Sequence, residues 1–240
     1  MKKNIIVALA AVAAAAPLAA NAVITLDFEN IAPFPNDSNV LILDYYNGGA
    51  ASNGNTGPNL GVAFSTGATL LCLNTDTVDC SNTSKGGGGL PTSQLGAMYF
   101  PTLNPFMNVA AGFDTGFSMA YTNPFGESVG VQIFDGLNGT GNLLASASLG
   151  ATTNGAQGAC TAYGSANYCP FANFSLGFSG VARSVLFSGT ANRSTYDDFT
   201  FGSTTVGGGD GGNQVPEPGT LALFGLSLLG LGLVRRSRRD

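Results

Sequence analysis

From Val23 to Phe201 the apolar residues come in short runs that alternate with small polar residues, and each run is cut by Gly, Asn, Pro, Ser or Thr. No stretch of useful length repeats its apolar positions at helical spacing. A period of two broken every few residues specifies strands and turns. It predicts strands over 23–28, 40–45, 62–65, 69–73, 97–100, 107–111, 116–121, 128–134, 143–148, 172–178, 184–188 and 196–201. Phe117, Met119 and Tyr121 share one face, as do Val129, Val131 and Ile133, then Phe174, Leu176 and Phe178, then Phe199 and Phe201. The clearest hairpin is 129–145, two apolar runs joined by a loop whose glycines permit positive φ. The implied fold is all-β, an antiparallel two-sheet sandwich of jelly-roll type. A β-helix would need a repeat of about 20 residues, and none is present.

The chain has 240 residues, 10% of them charged, and no histidine or tryptophan. A chain of this length buries a sizeable core as one domain. Without histidine it has no Ser-His-Asp or Cys-His arrangement, no imidazole zinc ligand and no base of natural pKa near neutrality. Between Val23 and Gln214 three basic residues, Lys85, Arg183 and Arg193, face twelve acidic ones, a net charge of −9. Such a surface repels nucleic acid and anionic membranes and leaves cations, neutral polysaccharides and basic partners.

Both ends carry addresses. Residues 1–22 read as a signal peptide: Lys2-Lys3, an apolar run from Ile5 to Leu18, and Ala20-Asn21-Ala22 for cleavage. The sandwich domain is expected over 23–206 and a flexible Gly-rich linker over 207–214. The last segment, 215–240, has three parts in a fixed order: Pro216-Glu217-Pro218, an apolar stretch from Gly219 to Val234, and Arg235-Arg236-Ser237-Arg238-Arg239. Sixteen apolar or small residues span about 24 Å as a helix, a short membrane crossing stretched by snorkelling arginines. The four arginines Arg235, Arg236, Arg238 and Arg239 hold that end in the cytoplasm. Prolines on both sides of Glu217 keep the segment extended and open to a processing enzyme.

This tripartite tail resembles the PEP-CTERM sorting signal of Gram-negative bacteria. The resemblance implies an exported substrate of an exosortase, a membrane-embedded cysteine transpeptidase that cleaves near Pro216, Glu217 and Pro218. It implies transient anchoring in the cytoplasmic membrane and a final place in the cell envelope or outside the cell. A permanent single-pass anchor is the plainer reading of the same residues.

Four cysteines in an exported chain read as two disulfides, and the spacing favours Cys72 with Cys80 and Cys160 with Cys169. The opening Leu26-Asp27-Phe28-Glu29 and closing Tyr196-Asp197-Asp198-Phe199-Thr200-Phe201 resemble the first and last strands of carbohydrate-binding-module and galactose-binding-like sandwiches. If those strands are neighbours, Glu29 and Asp198 come close enough to hold a structural calcium ion, with further oxygens from Asp27, Asp44 or the Asn47-Gly48-Gly49 turn. Solvated edge carboxylates are the plainer reading. With no tryptophan, a sugar platform would fall to tyrosines, and Tyr45 and Tyr46 beside a glycine turn are the expected pair.

The leading expectation is an exported envelope or matrix protein with no catalytic residues, whose sandwich is structural or adhesive and meets extracellular polysaccharide. The alternatives are a carbohydrate-active enzyme using paired carboxylates and a calcium-stabilised lectin-like module.

Overall fold

A computed structural model describes residues 23–34, 39–73, 95–153, 168–189 and 191–208. Among them run eleven strands: β1 (Ile24–Leu26), β2 (Val62–Phe64), β3 (Thr69–Cys72), β4 (Gly96–Tyr99), β5 (Phe106–Phe113), β6 (Gly116–Thr122), β7 (Val129–Phe134), β8 (Leu143–Leu149), β9 (Ala172–Gly177), β10 (Ala182–Gly189) and β11 (Thr195–Phe201). They form two antiparallel sheets, one ordered β3-β4-β11-β6-β9 with β1 also on β11, the other β2-β5-β10-β7-β8. The expected all-β sandwich is the fold.

The period-two faces meet between the sheets. Phe117 and Met119 of β6, Val131 and Ile133 of β7, and Phe199 and Phe201 of β11 are fully buried in one cluster, with Phe174, Leu176 and Phe178 packed against it. Rings tile its middle: Phe199 lies 5.6 Å edge-on to Phe28, 5.7 Å from Phe117 and 5.6 Å from Phe187. Each such phenylalanine contributes about 2 kcal/mol over leaving it exposed. The β7–β8 hairpin turns where expected. Its loop is closed by the Asp135 carboxylate, which accepts from the Asn142 side chain at 2.8 Å and the Asn142 backbone N–H at 2.7 Å. Those two bonds hold the Asp135 carboxyl below its usual range.

One predicted strand is absent. Residues 40–45 pair only through a single bridge at Leu41 and then turn, because Leu43 takes a left-handed φ of 48° and Tyr45 N–H donates to the Ile42 carbonyl at 3.1 Å. Cys72 and Cys169 are each buried and each in a disulfide. Cys80 and Cys160 lie outside the described residues, as do the expected signal peptide at 1–22 and the 215–240 tail. Among the described residues no helix is long and apolar enough to cross a membrane, and the expected crossing at 219–234 lies beyond them.

Buried tyrosines give the fold an alkaline limit. Burial raises Tyr46 well above the ordinary value of 10.0, with the Asp27 charge adding to it, and burial likewise raises Tyr196. A raised folded pKa means stability that is complete below the unfolded value and lost as pH climbs above it. On titration past about pH 10, tyrosinate absorbance should therefore rise in one cooperative step together with loss of the β-sheet circular dichroism signal. Smooth ionisation with the sheet signal intact would contradict this.

Candidate functional site

Glu29 and Asp198 lie where the two ends of the domain meet. β1 runs antiparallel to β11 in the register Ile24 to Phe201 and Leu26 to Phe199, so the first and last strands are neighbours. β6 covers one edge of β11; β4, through Met98 opposite Tyr196, and β1 share the other edge end to end. Glu29 stitches that seam. One carboxylate oxygen, Oε1, accepts the backbone N–H of Leu95 at 2.7 Å and of Gly96 at 2.8 Å. Phe28 turns the chain out of β1 with a left-handed φ of 58°, and its N–H donates to the Tyr46 hydroxyl at 3.0 Å. A Cβ at Gly96 would sit 2.3 Å from the Phe28 carbonyl oxygen, so only glycine fits there.

Asp198 is buried in β11 at a bulge, where its own φ is 51° and the register on β6 shifts between Asp197 and Thr200. Its N–H donates to the Asp197 carboxylate at 2.7 Å. The charges of Asp27 and Asp197 both act on the Tyr46 hydroxyl. Among the described residues no three acids or cysteines converge as a metal-holding group.

Tyr45 and Tyr46 are not a sugar platform. Their exposures are 5% and 4%, because the turn that replaces the predicted strand points both rings into the core. The rings pack edge to face at 5.1 Å, and the Tyr45 hydroxyl donates to the Asn30 carbonyl at 2.9 Å. A stacking face covered by protein has no room for a sugar.

The sandwich has two distinct poles. Val23 enters β1 at the pole where β6 begins and β9 ends, and the chain leaves β11 at the same pole. The closing 3₁₀ turn Val206–Gly208 folds back on it, with Gly207 N–H donating to Thr200 Oγ1 at 3.0 Å. A Cβ at Gly208 would lie 2.9 Å from a Val23 methyl, so both ends of the domain emerge side by side. The opposite pole holds the turn from β6 to β7 and the segments leading into β9 and β11. There Phe125 stands 46% exposed above Tyr168, with Glu127 and Arg193 alongside. Phe125 lies outside every strand pattern in the sequence. Its signal was Asn123-Pro124-Phe125-Gly126, a turn sequence with proline at the second position that sets the third residue at the apex.

Residues 214–239 match the family model of the PEP-CTERM protein-sorting motif, a span that includes Pro216, Glu217, Pro218 and the four arginines. The chain carries a PEP-CTERM sorting motif. That motif marks an exported protein of Gram-negative type, sorted by way of the membrane. No curated protein matches this chain. Three solved carbohydrate-binding modules of family 6 are similar to parts of it. One, studied for its binding sub-sites, is 19% identical over 55% of this chain and 92% of its own, with a TM-score of 0.31. Another, from Clostridium stercorarium in complex with cellobiose, is 15% identical over 48% of this chain and 79% of its own, with a TM-score of 0.32. The β-1,3-glucan-binding module from Bacillus halodurans is 11% identical over 59% of this chain and 89% of its own, with a TM-score of 0.35.

The seam gives a sharp expectation for Glu29. Truncation in Glu29→Ala leaves two backbone donors without their acceptor and should lower stability by about 2 kcal/mol, read from urea denaturation with and without a calcium chelator. Equal loss in both conditions fits a backbone tie. A loss seen only when calcium is present would make Glu29 a metal ligand instead.

Proposed function

We propose that this protein is an exported component of the cell envelope or extracellular matrix, processed by an exosortase at Pro216-Glu217-Pro218, whose sandwich is a non-catalytic structural or adhesive module among polysaccharides. The observation that carries the reading is the position of Gly208, the last described residue ahead of the sorting motif, beside Val23 at one pole of a sandwich closed by its own terminal strands. Every described strand ends before Gly208, so cutting the tail removes none of them.

The acids of the terminal strands, Glu29, Asp197 and Asp198, support a non-catalytic body. A glycosidase places two carboxylates about 5–9.5 Å apart across a cleft. Here Glu29 is spent on backbone amides, while Asp197 and Asp198 are buried in the middle of a sheet. The groove beside the linker exit is lined by Asn173, Phe174, Ser175, Thr204, Thr205 and Val206, none of them an acid.

Deletion of Val215–Asp240 tests the sorting part. The shortened protein should appear in the medium without a processing step, whereas the full chain is processed and kept at the envelope. Unchanged processing and location after the deletion would contradict the proposal.

A further inference from the structure

Phe125 is the one aromatic side chain among the described residues that is more than a third exposed. Apolar side chains scattered on a surface need no explanation, but this one is held in place by an unusual amount of structure. Asn123 beneath it has no exposure at all. Its side-chain amide donates to the Glu127 carbonyl at 2.9 Å and its Oδ1 accepts the Glu127 N–H at 3.0 Å. Its backbone N–H donates to Thr152 Oγ1 at 2.9 Å, and its carbonyl accepts from Gly126 at 3.2 Å and Thr152 at 3.0 Å. Proline precedes Phe125, and Gly126 takes the left-handed φ of 63° that ends the turn. The ring is therefore aimed by a locked turn rather than by a mobile loop.

The Tyr168 ring packs edge to face with Phe125, 5.9 Å away with 80° between planes, and Phe125 remains exposed. Beside them Arg193 Nε lies 3.8 Å from Glu127 Oε1, both side chains part-exposed, and both charges act on the Tyr168 hydroxyl. The cluster thus offers a flat apolar face, a planar fork of donors and a carboxylate acceptor within one patch. A pyranose ring has the matching parts: an apolar C–H face and a rim of hydroxyls that both donate and accept. A fixed aromatic ring costs little entropy to engage. The net charge of −9 between Val23 and Gln214, with Arg193 one of three basic residues there, disfavours a polyanion. The patch also sits at the pole opposite Val23 and Gly208.

We propose that Phe125, fixed by the Asn123–Glu127 turn and flanked by Arg193 and Glu127, is the contact through which the tethered sandwich grips a neutral extracellular polysaccharide. This rests on the polysaccharide part of the proposed function and names its site.

The test is affinity electrophoresis of the exported protein in native gels containing the neutral fraction of the producing strain's extracellular polysaccharide, with alginate as a polyanion in a parallel gel. The neutral polymer should retard the wild type and alginate should not. Phe125→Ala should weaken retardation about tenfold. Leu137→Ala removes a side chain of similar exposure, 41%, from the β7–β8 loop and should change nothing. Phe125 faces solvent, so both variants should keep the wild-type melting temperature. Retardation undiminished in Phe125→Ala would overturn this site while leaving polysaccharide binding in place, and stronger retardation by alginate would overturn the neutral ligand. A wild type retarded by neither polymer would remove the polysaccharide reading and this site with it, and leave sorting untouched.

Discussion

Everything in this sandwich leans on β11. All seven of its residues are buried, and it is paired with β6 on both sides of its bulge and in two instalments with β4 and β1. Two strands sharing one edge end to end leave a gap in the ladder, where backbone donors need partners in a place water reaches poorly. Glu29 fills that gap by accepting from Leu95 and Gly96, and Phe28 and Asp198 bend into left-handed conformations on either side of it. A bulky residue at positive φ costs about 1–2 kcal/mol. Its persistence at Phe28 reflects the rings of Tyr46 and Phe199 packed on it and the hydroxyl that takes its N–H.

That seam explains the chemistry of the acidic residues better than their charge does. In sequence, Glu29 and Asp198 stand out as two carboxylates on neighbouring strands; in space, one is a substitute ladder partner and the other sits at a bulge inside a sheet. The sequence carried enough to pair the first strand with the last, since both are short apolar alternations at the domain's ends. It did not carry the close approach of Phe28 to Gly96, because that contact joins residues far apart in the chain and depends on the absence of a side chain.

The same limit governs the tyrosines. Val40 to Leu43 is a short continuous apolar run that reads as a strand, and nothing local announces that Leu43 will turn left-handed and send Tyr45 and Tyr46 inward. Burial depends on what packs against a segment, which period-two reading does not contain. Phe125 is the converse case. Its turn sequence was readable, but a strand count gives no weight to a loop residue, and its exposure follows only from Asn123 anchoring the turn to Thr152. The β7–β8 hairpin and the buried faces of β6, β7 and β11 were legible because local pattern and tertiary demand agree there.

Closure by the terminal strands is also what links fold to sorting. The segment following the expected signal peptide is β1, and the last described elements ahead of the sorting motif are β11 and its closing turn, so the described unit has its two ends clasped together. Native-state hydrogen exchange on the exported protein tests that clasp most directly. The account predicts that the amides of Ile24–Leu26 exchange in step with those of Thr195–Phe201, and only through global unfolding. Early exchange of β1 while β11 stays protected would contradict it, since the first strand would then be an appendage and the shared pole would not be fixed.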